Sequence, residues 1–202
     1  RVHEIIQSSP DQANSLPAQL RPFQCEVAWT DRAGVEQRTG FHAAILAAPA
    51  HQMAAILKSA VPKAADELRR IEYASSAIIV TGHAVSGIEH PLNAFGLVIP
   101  EVEKRKILSV SFLSRKFPRR APPDKVILRT FMGGALQPEM FNLSDSQLID
   151  TALSELRSIF GVRSAPDFAV VARYHRAMPQ YHVGHLDRVD RIRSQLASFP
   201  WI

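Results

Sequence analysis

Eight histidines and a single cysteine are the first side chains to test for chemistry in this chain of 202 residues. His182 and His185 stand three apart, with His175 and Asp187 close by. A metal site would use such a pair on one face of a helix, completed by further ligands. Pro179 and Gly184 instead make the segment a loop, and no cysteine or glutamate cluster supplies the missing ligands, so no metal is expected. Cys25 lies mid-strand between Phe23 and Val27, where a lone cysteine packs rather than attacks. No G-x-S-x-G elbow, G-x-G-x-x-G turn or P-loop string occurs. Gly133-Gly134 clears side chains from the end of a strand, which suits a close approach to the backbone and suits a plain strand exit equally well. No catalytic residue is expected from these patterns.

Charge is the next feature. Lys and Arg number 24 against 19 Asp and Glu, a formal +5. Lys104, Arg105, Lys106, Arg115, Lys116, Arg119 and Arg120 fall in residues 104–120 without an acid among them, interleaved with Phe112, Leu113, Phe117 and Pro118. Such a stretch suits lipid head groups or a carboxylated ligand, and also reads as a solvated hairpin. It carries neither a helix-turn-helix nor an aromatic stacking signature, so nucleic acid is not expected as a partner.

The elements that must position these groups follow from periodicity. With 46% hydrophobic and 21% charged residues, the chain is ordinary globular material, which excludes wholesale disorder. No apolar run approaches the length of a membrane span. One cysteine excludes an internal disulfide framework and fits a reducing compartment. Residues 1–6 read as a strand, 8–21 as a proline-bearing loop, and 23–30 as a half-buried strand by alternation. Asp31-Arg32-Ala33-Gly34 is turn chemistry before a return strand at 35–39. The apolar run 41–47 reads as a strand covered on both faces. Helices are expected at 49–59 and 63–71, the first opened by Pro49. A long strand is expected at 73–85, and three consecutive strands at 95–99, 107–113 and 125–132 make the meander of an antiparallel sheet. Ser144 caps a helix running to Phe160, with Gly161 at its end. A strand at 166–173 and a helix from Gly184 to Ser198 close the chain. The fold class is α+β: a mainly antiparallel sheet with flanking helices.

Both ends read as if strands were under way, at Arg1-Val2-His3-Glu4-Ile5-Ile6 and at Phe199-Pro200-Trp201-Ile202. The expectation is an internal segment of a longer protein.

Met178-Pro179-Gln180-Tyr181-His182-Val183-Gly184-His185, preceded by Arg173-Tyr174, resembles a string of the porphyrinogen-oxidising flavoenzymes of haem synthesis. These are the oxygen-dependent protoporphyrinogen oxidases and the bacterial coproporphyrinogen III oxidases. Five further strings resemble the same family in its own order and spacing: the run from Phe41 to Ala50, Ile71-Glu72-Tyr73-Ala74-Ser75, Phe95-Gly96-Leu97-Val98-Ile99-Pro100, Phe117-Pro118-Arg119-Arg120-Ala121-Pro122 and Thr130-Phe131-Met132-Gly133-Gly134.

The resemblance implies the substrate-domain portion of an FAD-binding flavoprotein. Residues 1–72 would form the junction of the FAD-binding and substrate domains, 73–176 an antiparallel substrate-binding sheet with one helix, and 177–202 an incomplete return toward the FAD-binding domain. It implies that Phe95, Val98 and Phe131 line the substrate pocket and that Val2 and Tyr174 meet FAD, Tyr174 standing where bacterial members often carry Trp. The arginine that usually pairs with a substrate propionate would come from the absent N-terminal half. So would the phosphate-binding glycine turn, so this segment alone is not expected to hold FAD tightly. The implied reaction oxidises protoporphyrinogen IX or coproporphyrinogen III to the porphyrin with dioxygen as acceptor. The cofactor performs the redox step, which is why no acid/base dyad is needed. A cytoplasmic enzyme is implied, with room for peripheral membrane contact and a homodimer. A flavin-dependent amine oxidase-like enzyme and a non-enzymatic basic membrane-binding module are the alternatives.

Overall fold

The computed structural model describes residues 2–7 and 24–202. The expected loop at 8–21 lies outside them. The chain divides into two compact units, residues 1–72 with 181–202, and residues 73–180.

The first unit holds a three-stranded antiparallel sheet of β1 (Val2–Gln7), β2 (Cys25–Thr30) and β3 (Glu36–Phe41), in that order. Asp31 closes the β2–β3 turn by accepting backbone N–H bonds from Ala33 and Val35 at 2.9 and 3.0 Å, and Gly34 takes the left-handed φ of +84° that the turn requires. Ile5, Cys25 and Trp201 form a buried cluster, with Val27, Leu46, Ile56 and Phe199 against it. Cys25 is therefore packing, and burial pushes its thiol above the ordinary value. Two helices, α1 (Ala50–Ile56) and α2 (Pro62–Arg69), follow.

Residues 41–47 do not form the doubly covered strand expected of them. Past Phe41 the segment is irregular and Ile45 is 95% exposed. Its one backbone tie of note runs from the Ala44 N–H to the Trp201 carbonyl. An apolar run becomes a strand only where neighbours lie alongside to complete its ladder, and past Phe41 no strand of the described residues is laddered to it.

The second unit is a five-stranded antiparallel sheet: β4 (Tyr73–Ala84), β5 (Gly96–Val98), β6 (Ser109–Phe112), β7 (Lys125–Gly133) and β8 (Phe168–Pro179). Their spatial order is β5-β6-β7-β4-β8. The first three make the meander read from the sequence. A short turn of helix, α3 (Leu113–Lys116), lies between β6 and β7.

One face of this sheet is covered by α4 (Asp145–Phe160). Leu148, Ala152, Leu156 and Phe160 pack on Ala77, Ile79, Val126, Leu128 and Met132 in one continuous core. The helix begins with a full capping box: the Ser144 hydroxyl accepts from the Gln147 N–H and the Gln147 side chain accepts from the Ser144 N–H. It ends at Gly161, left-handed with φ +62°. Gly133 and Gly134 also have positive φ, and the Gly134 N–H reaches the Ser75 carbonyl of the adjacent strand. The glycine pair is a strand exit folded closely against its neighbour.

The last helix, α5 (His185–Leu196), belongs to the first unit. It docks on α2 through ionic contacts, where Glu67 meets Arg188 and Arg191. The hydrogen bond from Arg191 is the main cause holding the Glu67 carboxyl below the usual carboxylate range.

Candidate functional site

Alternation along the five strands sends every second residue away from α4. The resulting open face can be read from the register. One row crosses the whole sheet as Val98, Ser109, Phe131, Ile78 and Ala172. The next row, two residues along, is Gly96, Ser111, Arg129, Val80 and Val170. Gly82 and Phe168 follow on one side, and Ser76 and Tyr174 on the other. Strands lie about 4.8 Å apart and same-face residues about 6.8 Å apart along a strand, so these rows offer a patch roughly 19 Å wide.

The patch is chiefly apolar and only part-covered. Ile78, Val80, Ile127 and Phe131 are half-buried, while Phe168, Val170 and Tyr174 are exposed and Val98 is 78% exposed. No such apolar grouping belongs to the core beneath α4. An exposed apolar sheet face of this breadth marks a binding surface. Its floor is close: the Phe168 ring lies over Gly82, and a Cβ built on Gly82 would stand 2.3 Å from that ring.

Val98 and Phe131 thus lie in one row on one face, two strands apart. Phe95 does not join them. It precedes β5 and lines a shallow cleft of about 430 Å³ with Pro91, Leu92, Asn93, Ala94 and Arg115. Tyr174 lies on the open face at the β8 edge, paired with Ser76. Val2 belongs to the other unit, on β1 opposite Trp29 and beside an irregularity between Val2 and Glu4.

The histidine loop holds no ligand set: His182 pairs with Glu72 at 3.3 Å, and the Tyr181 ring packs against His185 at 4.5 Å. Among the described residues no group of three metal-binding side chains gathers. The basic stretch is divided. Arg105 pairs with Glu155, while Lys116 and Arg120 flank the half-exposed Phe117 ring as cation–π partners.

Arg129 is the residue that sequence reasoning missed. Its guanidinium lies over the Phe131 ring, 4.9 Å from the centroid. The signal was available: alternation through residues 125–132 puts Ile127, Arg129 and Phe131 on one face, so an arginine shares the face of a candidate pocket residue.

Residues 21–199 match the model of the flavin-containing amine oxidoreductases. The chain belongs to that family. Within it, the chain is 32% identical over 154 residues to a coproporphyrinogen III oxidase of Bacillus subtilis (strain 168), covering 76% of this chain and 32% of that protein. It is 32% identical over 176 residues to a coproporphyrinogen III oxidase of Mycobacterium tuberculosis (strain ATCC 25618 / H37Rv), covering 87% and 38%. It is 26% identical over 170 residues to a mitochondrial protoporphyrinogen oxidase of Nicotiana tabacum, covering 79% and 33%. The chain therefore spans about a third of the length of these curated relatives. A crystal structure from Exiguobacterium sp. 255-15, named as a candidate protoporphyrinogen oxidase, shares the fold with a TM-score of 0.66 over 88% of this chain. Reduced UDP-galactopyranose mutase does so at 0.62 over 85%. The α+β class and the antiparallel sheet with flanking helices are those of this family.

The residues present fit part of the family's flavin. Tyr174 offers a half-exposed aromatic surface, which suits a flat heteroaromatic ring. No glycine-rich phosphate turn occurs in the sequence, so the pyrophosphate has no cradle here.

Proposed function

We propose that this chain supplies the substrate-facing sheet of an FAD-dependent porphyrinogen oxidase of haem synthesis, with dioxygen as electron acceptor. The observation that carries the reading is the open apolar face whose central row holds Val98 and Phe131, in a chain similar to enzymes named for coproporphyrinogen and protoporphyrinogen. A porphyrinogen is a broad apolar macrocycle with acidic edge groups. The sheet meets such a ring with branched and aromatic side chains, excludes water from it, and fixes its orientation. Val98, Phe131, Ile78 and Val80 form the wall under this reading, while Phe95 lies in a cleft of its own ahead of β5. Tyr174 and Val2 would meet FAD, which when bound accepts the hydride that the macrocycle loses. The chain's own part is binding and orientation, which needs no acid/base dyad.

The test is a steady-state assay of the full-length protein with coproporphyrinogen III, protoporphyrinogen IX and primary amines side by side. Porphyrin fluorescence should grow with either porphyrinogen and oxygen should be consumed. Turnover of amines with inert porphyrinogens would overturn the reading.

Lys116, Phe117, Arg119 and Arg120 support a peripheral membrane contact at the inner face of a cytoplasmic membrane, because cations around an exposed ring suit anionic head groups. Among the described residues no helix is long and apolar enough to cross a membrane.

A further inference from the structure

Two arginines stand in the central rows of the five-stranded sheet, one on each face. Arg173 faces α4 and is fully engaged, donating to the carboxylate of Asp145 and to the carbonyls of Phe141 and Leu143. Arg129 faces the opposite way. Among the described residues it pairs with no carboxylate, and its Nε is buried without a hydrogen-bond partner. The strand partners on either side are Ser111 and Val80, and its same-strand neighbours on that face are Ile127 and Phe131. It is the only charged side chain in the two rows that cross the sheet.

The guanidinium carbon stands 4.9 Å from the Phe131 ring centroid, a cation–π contact that satisfies none of its N–H groups by hydrogen bonding. Buried N–H groups are nearly always partnered in native structures. A cation on an apolar floor is poorly hydrated, so an incoming anion meets less competition from water than at an exposed lysine. A planar fork is matched by a carboxylate, which it binds through two parallel bonds. Ser111 is the direct cross-strand partner of Arg129 on the same face.

We infer that Arg129 is a carboxylate anchor for the edge of the bound macrocycle, distinct from the arginine that the family resemblance places outside this chain. This rests on the porphyrinogen reading and deepens it: Arg129 would fix which edge of the ring lies toward β6 and favour substrates carrying a carboxylate there.

The experiment separates the charge from the ring. Coproporphyrin III and its tetramethyl ester, neither of which turns over, are titrated against the full-length flavin-loaded protein and followed by porphyrin absorbance. The parent should bind the free acid about 10- to 100-fold more tightly than the ester, as expected for a charge-assisted pair on a poorly hydrated surface. Arg129→Gln should abolish that preference while leaving ester affinity within about twofold. Arg129→Lys, which keeps charge but loses the fork, should restore part of it. An unchanged visible flavin spectrum shows that each variant is folded. Equal loss for acid and ester, or no loss for either, would overturn the inference. So would weakened flavin retention with the acid preference intact, because the anion held would then be the cofactor's phosphate. If the parent binds neither porphyrin, the porphyrinogen reading itself fails, which is a separate result.

Discussion

Phe131 and Met132 are adjacent on β7 and face opposite ways, so one pair of alanine substitutions tests whether the open face is free for a ligand. Met132 is fully buried against α4. Truncating it leaves a cavity in a close-packed core and should cost about 2–5 kcal/mol of stability. Phe131 is half-buried, lies outside that core, and has the Arg129 guanidinium as its distinctive contact. Its truncation removes part of one ring's burial and a cation–π pair, about 1–2 kcal/mol together. Ligand binding should respond in the reverse order. Loss of the Phe131 ring removes an aromatic contact with the macrocycle, costing about 1–2 kcal/mol, or roughly five- to thirty-fold in Kd. Met132→Ala should leave Kd within about threefold wherever the protein remains folded. Urea denaturation and coproporphyrin titration of the two variants measure both axes. Phe131→Ala as destabilising as Met132→Ala, with unchanged porphyrin affinity, would refute the assignment of this face to binding.

Other consequences follow from single residues. Ser144→Ala breaks the capping box of α4 and should cost about 1 kcal/mol, read as a shifted denaturation midpoint with unchanged slope. His83 is buried in β4 with its Nε2 2.9 Å from the Thr81 hydroxyl, and desolvation lowers its pKa below the ordinary 6.5. The unfolded chain therefore binds that proton more readily. Stability contributed by the neutral ring is complete above pH about 6.5 and is lost as pH falls below it, and His83→Leu should flatten this part of a stability-against-pH curve. Gly82→Ala would drive a methyl into the Phe168 ring, so β8 should show faster amide exchange at its Phe168 end. Liposomes with anionic lipid should retain the protein at low salt and release it at high salt, and Lys116→Glu combined with Arg120→Glu should abolish retention without changing porphyrin affinity.

The legible parts of the fold were those whose signal is local. Alternation located β2 and the β5–β7 meander, and Ser144 with Gly161 bracketed α4 closely, because caps and turns are set by neighbouring residues. The segment 41–47 was misread because strand formation depends on a partner elsewhere, which an apolar run does not encode. β8 runs to Pro179, beyond the expected end at 173: the register shift between Ala74 and Ser76 lets pairing resume at Met178, and a bulge carries little sequence signal. At the site, family strings pointed to Val98 and Phe131, and the register puts both in one row. Phe95 fell outside that row because it precedes Gly96, where β5 begins and where a Cβ would stand 2.3 Å from the Val110 carbonyl oxygen. Arg129 was hidden by its ordinary surroundings, and only the faces of the sheet distinguish it from the paired Arg173.

The central claim is that the α4-free face of the five-stranded sheet receives the macrocycle. A crystal structure of the full-length flavin-loaded protein with coproporphyrin III tests it most directly. The account predicts ring atoms within about 4 Å of Val98 and Phe131, with a carboxylate at the Arg129 guanidinium. A porphyrin bound elsewhere, leaving that face in solvent or covered by protein, would contradict it.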